Sequence, residues 1–461
     1  MGWRCQAGGV FAVGLLLVGC EEQETTSTQR VPGLEEAGLV AGEGVGAKEW
    51  SRALVLGDSQ ALRAAVAPNG DVLLVAAYGE PVDLGGGPLP FDRGVAGPHL
   101  LVARYGRDGA LRWAQGLVPS GPGAQRAQVG AVAVDGASGD VLLGGTSAGF
   151  RWGAGWLPEG PFVARLSAQG ELSWVRGFPG EGALTVGAVA VEPGSGEVVV
   201  TGDFAGQRDF GTGAHAVPKD RQGAFVARFT AKGAPLWSRA FAPKSGDVAA
   251  RALAVDAFGE VVFAGSYSGA VSFGGSTFVT VRSRTPYVVK LSREGAHRWS
   301  REVSGAEGVA QAVAVGSDRV FLAGTYTGRF FFQLEQFESD WQDGFVAAYS
   351  AEGQSRWARS LAASATALGT DSAGQVLVAG THDGGLDVGS RASGPGLYVT
   401  KLLPEEGTSV WARSFTGATL PSASTVAVDA SGYPVVAGSL ARAGGAKRTH
   451  GRDGFLLRLK P

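Results

Sequence analysis

Ala131-Val132-Ala133-Val134-Asp135, a turn, Val141-Leu142-Leu143-Gly144-Gly145, a long intervening stretch, Phe162-Val163-Ala164-Arg165, a second turn, then Leu172-Ser173-Trp174: this run decides the fold. Its apolar pieces are short, rich in β-branched residues and alternate with period two, which is the pattern of strands. The same pieces return as Leu253-Ala254-Val255-Asp256, Val261-Val262-Phe263-Ala264-Gly265, Tyr287-Val288-Val289-Lys290 and His297-Arg298-Trp299. Tryptophan marks the period, at Trp50, Trp113, Trp174, Trp237, Trp299, Trp357 and Trp411, with intervals of 54 to 63 residues. That spacing signals a propeller or an array. Turns such as Asp429-Ala430-Ser431-Gly432 and Ala168-Gln169-Gly170-Glu171 supply glycine where a tight hairpin needs positive φ. Each unit therefore reads as a four-stranded antiparallel blade, and the chain as all-β, its blades packed face to face in a ring.

The two ends of the repeat set the blade count and the closure. The last unit runs from Val426-Ala427-Val428-Asp429 to Phe455-Leu456-Leu457-Arg458 without a tryptophan strand, whereas Glu49-Trp50-Ser51-Arg52 precedes every other blade strand. Seven strands of each type result, so residues 49 to 57 are expected to fill the outer place of the last blade and leave no orphan edge.

Composition agrees with a glycine-rich all-β body: 75 glycines in 461 residues, 44% hydrophobic and only 18% charged. A net charge of −2 provides no basic field to hold a polyanion, so nucleic acid is not expected as a partner. Cys5 and Cys20 are the only cysteines, which removes disulfides, thiolate metal sites and a cysteine nucleophile from the body.

Residues 1 to 19 start with Arg4 and continue as an apolar run from Ala7 to Val18, the length of a signal-peptide core and too short to span a bilayer. The following Leu17-Val18-Gly19-Cys20 resembles the bacterial lipoprotein lipobox, and the resemblance implies that Cys20 becomes an acylated first residue. Residues 20 to 47 are acidic and free of aromatics, with six glutamates against the single Arg30. Such a segment cannot bury enough surface to fold and reads as a tether. The propeller is expected over 48 to 461.

The wording of the unit resembles the bacterial SBBP-type β-propeller repeat across residues 49 to 461. Glycine precedes tryptophan by four positions in Gly109 to Trp113, Gly170 to Trp174, Gly295 to Trp299 and Gly353 to Trp357. In this it is similar to the tryptophan-docking repeat of quinoprotein-type propellers. These resemblances imply a fold and, for the first, a secreted or lipid-anchored setting.

Candidate functional residues are those that leave the pattern. An arginine two positions after the tryptophan (Arg176, Arg239, Arg359) and the aspartate closing the first strand (Asp135, Asp256, Asp371, Asp429) recur with the repeat. They read as packing and turn caps rather than as cation or calcium sites. His99, His215, His382 and His450 lie in the long stretches between second and third strands of different blades and read as solvated loop residues, with no metal site and no cofactor expected. Trp152 matches the anchor Val271-Ser272-Phe273-Gly274-Gly275 and reads as packing, but Trp156 and Trp341 fit no repeat position. Trp341 sits among Glu338, Asp340 and Asp343, and the corresponding loop of the last blade holds Arg442, Lys447, Arg448, His450 and Arg452. Exposed aromatics beside charge are the makings of a recognition patch.

No Ser-His-Asp, phosphate-loop or paired-carboxylate pattern stands out, so a non-catalytic binding or scaffold module is expected. It would be monomeric, held to the cell envelope by lipid at the outer membrane or cell surface, with a protein or a glycan as partner. The alternatives are a quinoprotein-like or glycan-active propeller enzyme and, by a further resemblance, an accessory lipoprotein of outer-membrane protein assembly.

Overall fold

The computed structural model describes residues 35–36, 45–56, 62–95, 98–119, 128–153, 155–384, 395–416, 421–441 and 452–461. Among them there is no helix; seven four-stranded antiparallel blades form a β-propeller. Blade one consists of Leu62–Val66, Val72–Tyr78, His99–Tyr105 and Leu111–Leu117, and blade two of Gln128–Val134, Val141–Trp152, Gly155–Leu166 and Leu172–Gly177. Blade three adds a small hairpin, Gly206–Asp209 with Ala214–Val217, between its second and third strands. In blade seven the outer strand is Lys48–Leu54, antiparallel to Arg452–Leu459, with Trp50 opposite Arg458 and Leu54 opposite Gly454. The ring therefore closes through a strand drawn from the start of the body. Lys460 N–H to Ala47 O (2.8 Å) and Gly46 N–H to Lys460 O (3.1 Å) continue the ladder outward. Within the acidic segment, Glu35–Glu36 pair with Phe415 and Thr416 on the outer strand of blade six.

Burial follows the pleat. The second and third strands of each blade are the most buried, as in Val72–Tyr78 and His99–Tyr105, because their two faces pack against the neighbouring blades. Seven apolar clusters result, each shared between adjacent sheets, such as the one that joins Ala131 and Leu142 of blade two to Val186 and Phe225 of blade three. Between second and third strands, blades two, four and five differ from the expected long loops. There the two strands continue as projecting hairpins, Val261–Ser272 with Thr277–Leu291 and Arg319–Phe332 with Glu335–Ser350. Period-two alternation persists outward, with Phe330 and Phe332 buried and Phe331 exposed.

Each repeat tryptophan docks onto the next blade. Trp299 Nε1 donates to Ala351 O (2.9 Å), and its indole lies over Gly353. Trp50 reaches Gly109, Trp113 Gly170, Trp174 Gly233, Trp237 Gly295, Trp357 Gly407 and Trp411 Gly46, so the glycine four residues before each tryptophan receives the tryptophan of the preceding blade. All seven glycines have φ between 67° and 87°, the left-handed region that a side chain makes costly. The arginine two positions on completes the contact. It does not stack on its own tryptophan or find an aspartate; Arg301 Nε donates to Gly353 O (2.8 Å) and Arg176 Nε to Gly233 O (2.7 Å). Only Arg239 also lies over its own indole, at 6.0 Å. Gln115 replaces arginine in blade one because its amide reaches Gly170 O equally well (3.1 Å).

The aspartate closing the first strand caps its turn, as expected, and also has a cationic partner on the third strand. Asp429 Oδ1 accepts from Ser431 and Tyr433 N–H while Oδ2 pairs with Arg458 (2.6 Å). Asp135 with Arg165, Glu192 with Arg228, Asp256 with Lys290 and Asp371 with Lys401 repeat the arrangement. Burial pushes the Glu192 carboxyl up, but Arg293, Ser195 and Arg228 outweigh it and hold it at about 2. In blade five, Gly316 and Ala348 stand at the two places, so acid and base are lost together.

Trp299→Ala should lower unfolding free energy by ~3–5 kcal/mol, as for a buried aromatic. Gly353→Ala should also destabilise, since its Cβ would lie 2.5 Å from the Trp299 ring. Because both act on one contact, chemical denaturation of the double variant should show a loss well below the sum of the two.

Candidate functional site

Strand direction alternates, so the projecting hairpins, the remaining loops and the connectors between blades all emerge on one face of the disc. In blade five the ladder holds Tyr326 opposite Asp343 and Gly328 opposite Ser339, leaving Asp340, Trp341 and Gln342 outside it. Ser339 Oγ donates to Trp341 O (2.8 Å) and accepts from Trp341 N–H (3.3 Å), which fixes this irregularity. The indole is turned into solvent and is 82% exposed. Beneath it, Phe330 stacks on Phe337 at 4.7 Å and packs edge-on against Tyr326, so the hairpin is rigid at its base. Glu338 is tied to Arg329 (2.8 Å) across the hairpin, Asp340 is exposed and Asp343 half-buried. Phe331 and Leu334 extend the apolar surface at the tip.

Trp156 is 48% exposed in the hairpin of blade two, where it pairs with Arg151. Its neighbour Leu157 is buried, and alternation sends Trp156 outward. Trp152 is buried and donates to Gly170 O (2.8 Å), as its match to the loop anchor implied. The structure does not bring Trp156 and Trp341 together, because blades three and four lie between their hairpins. Of the basic loop of blade seven, residues 442–451 lie outside the described residues, and so does Cys20.

His99, His215 and His382 are not solvated, and His450 lies outside the described residues. His99 and His382 are buried; His382 Nε2 meets Ser414 Oγ (2.7 Å) and His215 Nε2 meets Ser238 Oγ (2.7 Å), each tying the loop side of a blade to its outer strand. His99 Nε2 accepts from Asp92 N–H (3.1 Å). Burial holds all three below the usual imidazole range. They serve packing of single blades, and among the described residues no three His, Cys, Asp or Glu side chains converge as metal ligands would.

One residue that repeat comparison could have flagged was missed. Val198-Val199-Val200-Thr201-Gly202-Asp203 parallels Val261-Val262-Phe263-Ala264-Gly265-Ser266, with an acid where the others have a small residue. Asp203 makes no ion pair among the described residues; burial raises its carboxyl to about 6, with Arg251 of blade four opposing the rise.

No protein-family model matches the chain, and no curated protein matches it. Solved structures of similar fold include a protein of unknown function from Dyadobacter fermentans DSM 18053, with 12% identity, 93% of this chain and 100% of that chain covered, and a TM-score of 0.40. The polysaccharide lyase Uly1 is similar at 9% identity, over 93% of this chain and 97% of that one, with a TM-score of 0.43. An apocarotenoid oxygenase of Synechocystis is similar at 9% identity, over 90% and 95%, with a TM-score of 0.41.

Asp203 gives stability a defined pH dependence. Its folded value of about 6 lies above the ordinary 3.8, so between these pH values the folded chain holds a proton that the unfolded chain releases. Stability should then fall as pH rises through that window. Asp203→Asn should flatten the thermal midpoint against pH between about 4 and 6 and raise it at neutral pH, read by calorimetry across the range.

Proposed function

We propose that this chain is a non-catalytic binding or scaffold propeller, tethered to a bacterial envelope membrane through an acylated Cys20 and recognising a protein or glycan with its loop face. The observation that carries the reading is Trp341. Every repeat tryptophan is committed to an inter-blade contact, whereas this one is held outward by backbone bonds of its own hairpin and meets only solvent. A large exposed aromatic on a rigid base, edged by Asp340 and Glu338, is what a binding hot spot requires. The anchoring half of the reading rests on the lipobox resemblance and the acidic segment behind it. No helix among the described residues is long and apolar enough to cross a membrane.

Two measurements separate this reading from a purely structural one. Trp341→Ala should leave the thermal midpoint within the ~0.5 kcal/mol of a surface change and reduce capture of envelope proteins or arrayed glycans by roughly thirtyfold, the share of a ~2 kcal/mol hot spot. Should it melt as early as Trp299→Ala, the residue belongs to the core and the loop face loses its main support. Separately, Cys20→Ala should abolish acyl labelling and release the protein from the membrane fraction; retention with unchanged labelling would refute the anchor.

A further inference from the structure

In a ring of repeats, equivalent positions face equivalent neighbours, so a charge that appears in one blade alone is not needed by the fold. The residue after the second-strand glycine, or its counterpart, occupies one register in all seven blades: Ala77, Thr146, Asp203, Ser266, Thr325, Thr381 and Ser439. Only blade three puts a carboxylate there. The first strand of five blades also carries a bulge near the loop face, leaving Gly130, Gly187, Arg251, Gln311 and Ser424 outside the ladder. Only blade four puts a cation there. Asp203 and Arg251 thus break the pattern on the two sides of a single seam.

A second irregularity aims another cation at the same place. The third strand of blade four leaves the ladder between Thr280 and Thr285, and Arg284 lies in that excursion. Bulges re-aim side chains. Arg251 and Arg284 are both exposed and neither makes a hydrogen bond or close ion pair among the described residues. Both line one opening of about 100 Å³ on the loop face, together with Gln222, Asp247, Ser266 and Ser268. Asp247 is committed, its Oδ1 accepting from Gln222 N–H (2.8 Å). Ser268 Oγ accepts from Asp247 N–H (3.0 Å), which leaves its hydroxyl proton to be donated. Tyr267 and Ser283, also at the opening, already donate to Glu302 and Glu307.

We propose that this opening between blades three and four is an oxyanion site, in which Arg251 and Arg284 bind the carboxylate, phosphate or sulfate group of a ligand reaching the loop face. Guanidinium forks match the planar or tetrahedral array of oxygens in such groups and bind them through charge-assisted hydrogen bonds. Asp203 sets the charge of the site. The groups facing it are Arg251 on the first strand of blade four and the phenol of Tyr287 on the third. When protonated it leaves Arg251 free for the ligand, and when ionised it competes for that guanidinium. Oxyanion affinity should therefore rise as pH falls through about 6.

The site stands apart from Trp341 and is tested without it. The full chain is titrated by calorimetry with glucuronate, inorganic phosphate and sulfate at constant ionic strength, with glucose as the neutral control. At least one oxyanion should saturate while glucose does not, and the tightest of the three names the source of the group. Arg251→Gln and Arg284→Gln should each weaken binding at least about tenfold, the share of a charge-assisted hydrogen bond, at unchanged melting temperature. Asp203→Asn should strengthen binding at pH 7.5 and abolish the pH dependence seen with glucuronate or sulfate, whose own charge is constant over this range. No saturable oxyanion, or saturation that the double variant Arg251→Gln/Arg284→Gln leaves unchanged, would overturn the proposal. Oxyanion binding with intact partner capture by Trp341→Ala would refute the tryptophan reading and leave this site standing.

Discussion

The contact on which the ring depends is an indole laid on a bare backbone. A blade has two buried faces and would aggregate alone, so it must be locked to its neighbours at the rim as well as at the core. The tryptophan of each outer strand does this by covering the glycine that opens the outer strand of the next blade, while the residue two positions on donates to the carbonyl of that glycine or, for Arg359 and Arg413, of the residue before it. The glycine is required twice, once for its positive φ and once because a Cβ would meet the ring. Since every blade both gives and receives the contact, the closing strand must come from the other end of the body. Trp50 and Gly46 place that strand in the same cycle as the rest.

The acid and base beside it, on the same turn face, are a second, more forgiving lock: Arg104 and Trp113 both donate to Ala168 O. Six blades combine a carboxylate on or beside the first turn with a cation on the third strand; in blade one the acid is Asp71, paired with Arg104. Arg104, Arg165 and Arg228 also bind carbonyls of the next blade, at Gly139, Gly196 and Gly259. Blade five keeps neither group and folds on its packing, consistent with a buried ion pair that costs much to break and little to replace as a unit. With the turn face committed to structure, the loop face is where residues are free to vary. There the exposed Trp341 and the Asp203 and Arg251 seam stand out from the repeat.

Much of this was legible in the sequence because repetition makes a single unit testable seven times. The strand order, the blade count, the closing strand, the turn-capping aspartates and the exposure of Trp156 and Trp341 followed from period and pattern. His99, His215 and His382 were misjudged, since burial of such a residue depends on what it meets across a blade, as His382 meets Ser414, and no local spacing encodes that. The partner of each arginine was missed for the same reason: Gly353 lies 52 residues beyond Arg301 and in another blade.

The sequence alone determined the architecture, because each unit carries its own strand alternation, turn chemistry and docking pair, and seven such units leave one way to bury every face. Only the tertiary structure decided which side chains share a seam. Asp203 and Arg251 are separated along the chain by a small hairpin, the third and outer strands of blade three and a connector. They meet because two bulged sheets pack side by side, and the direction in which a bulge turns its residue is fixed by the ladder around it rather than by the residue itself.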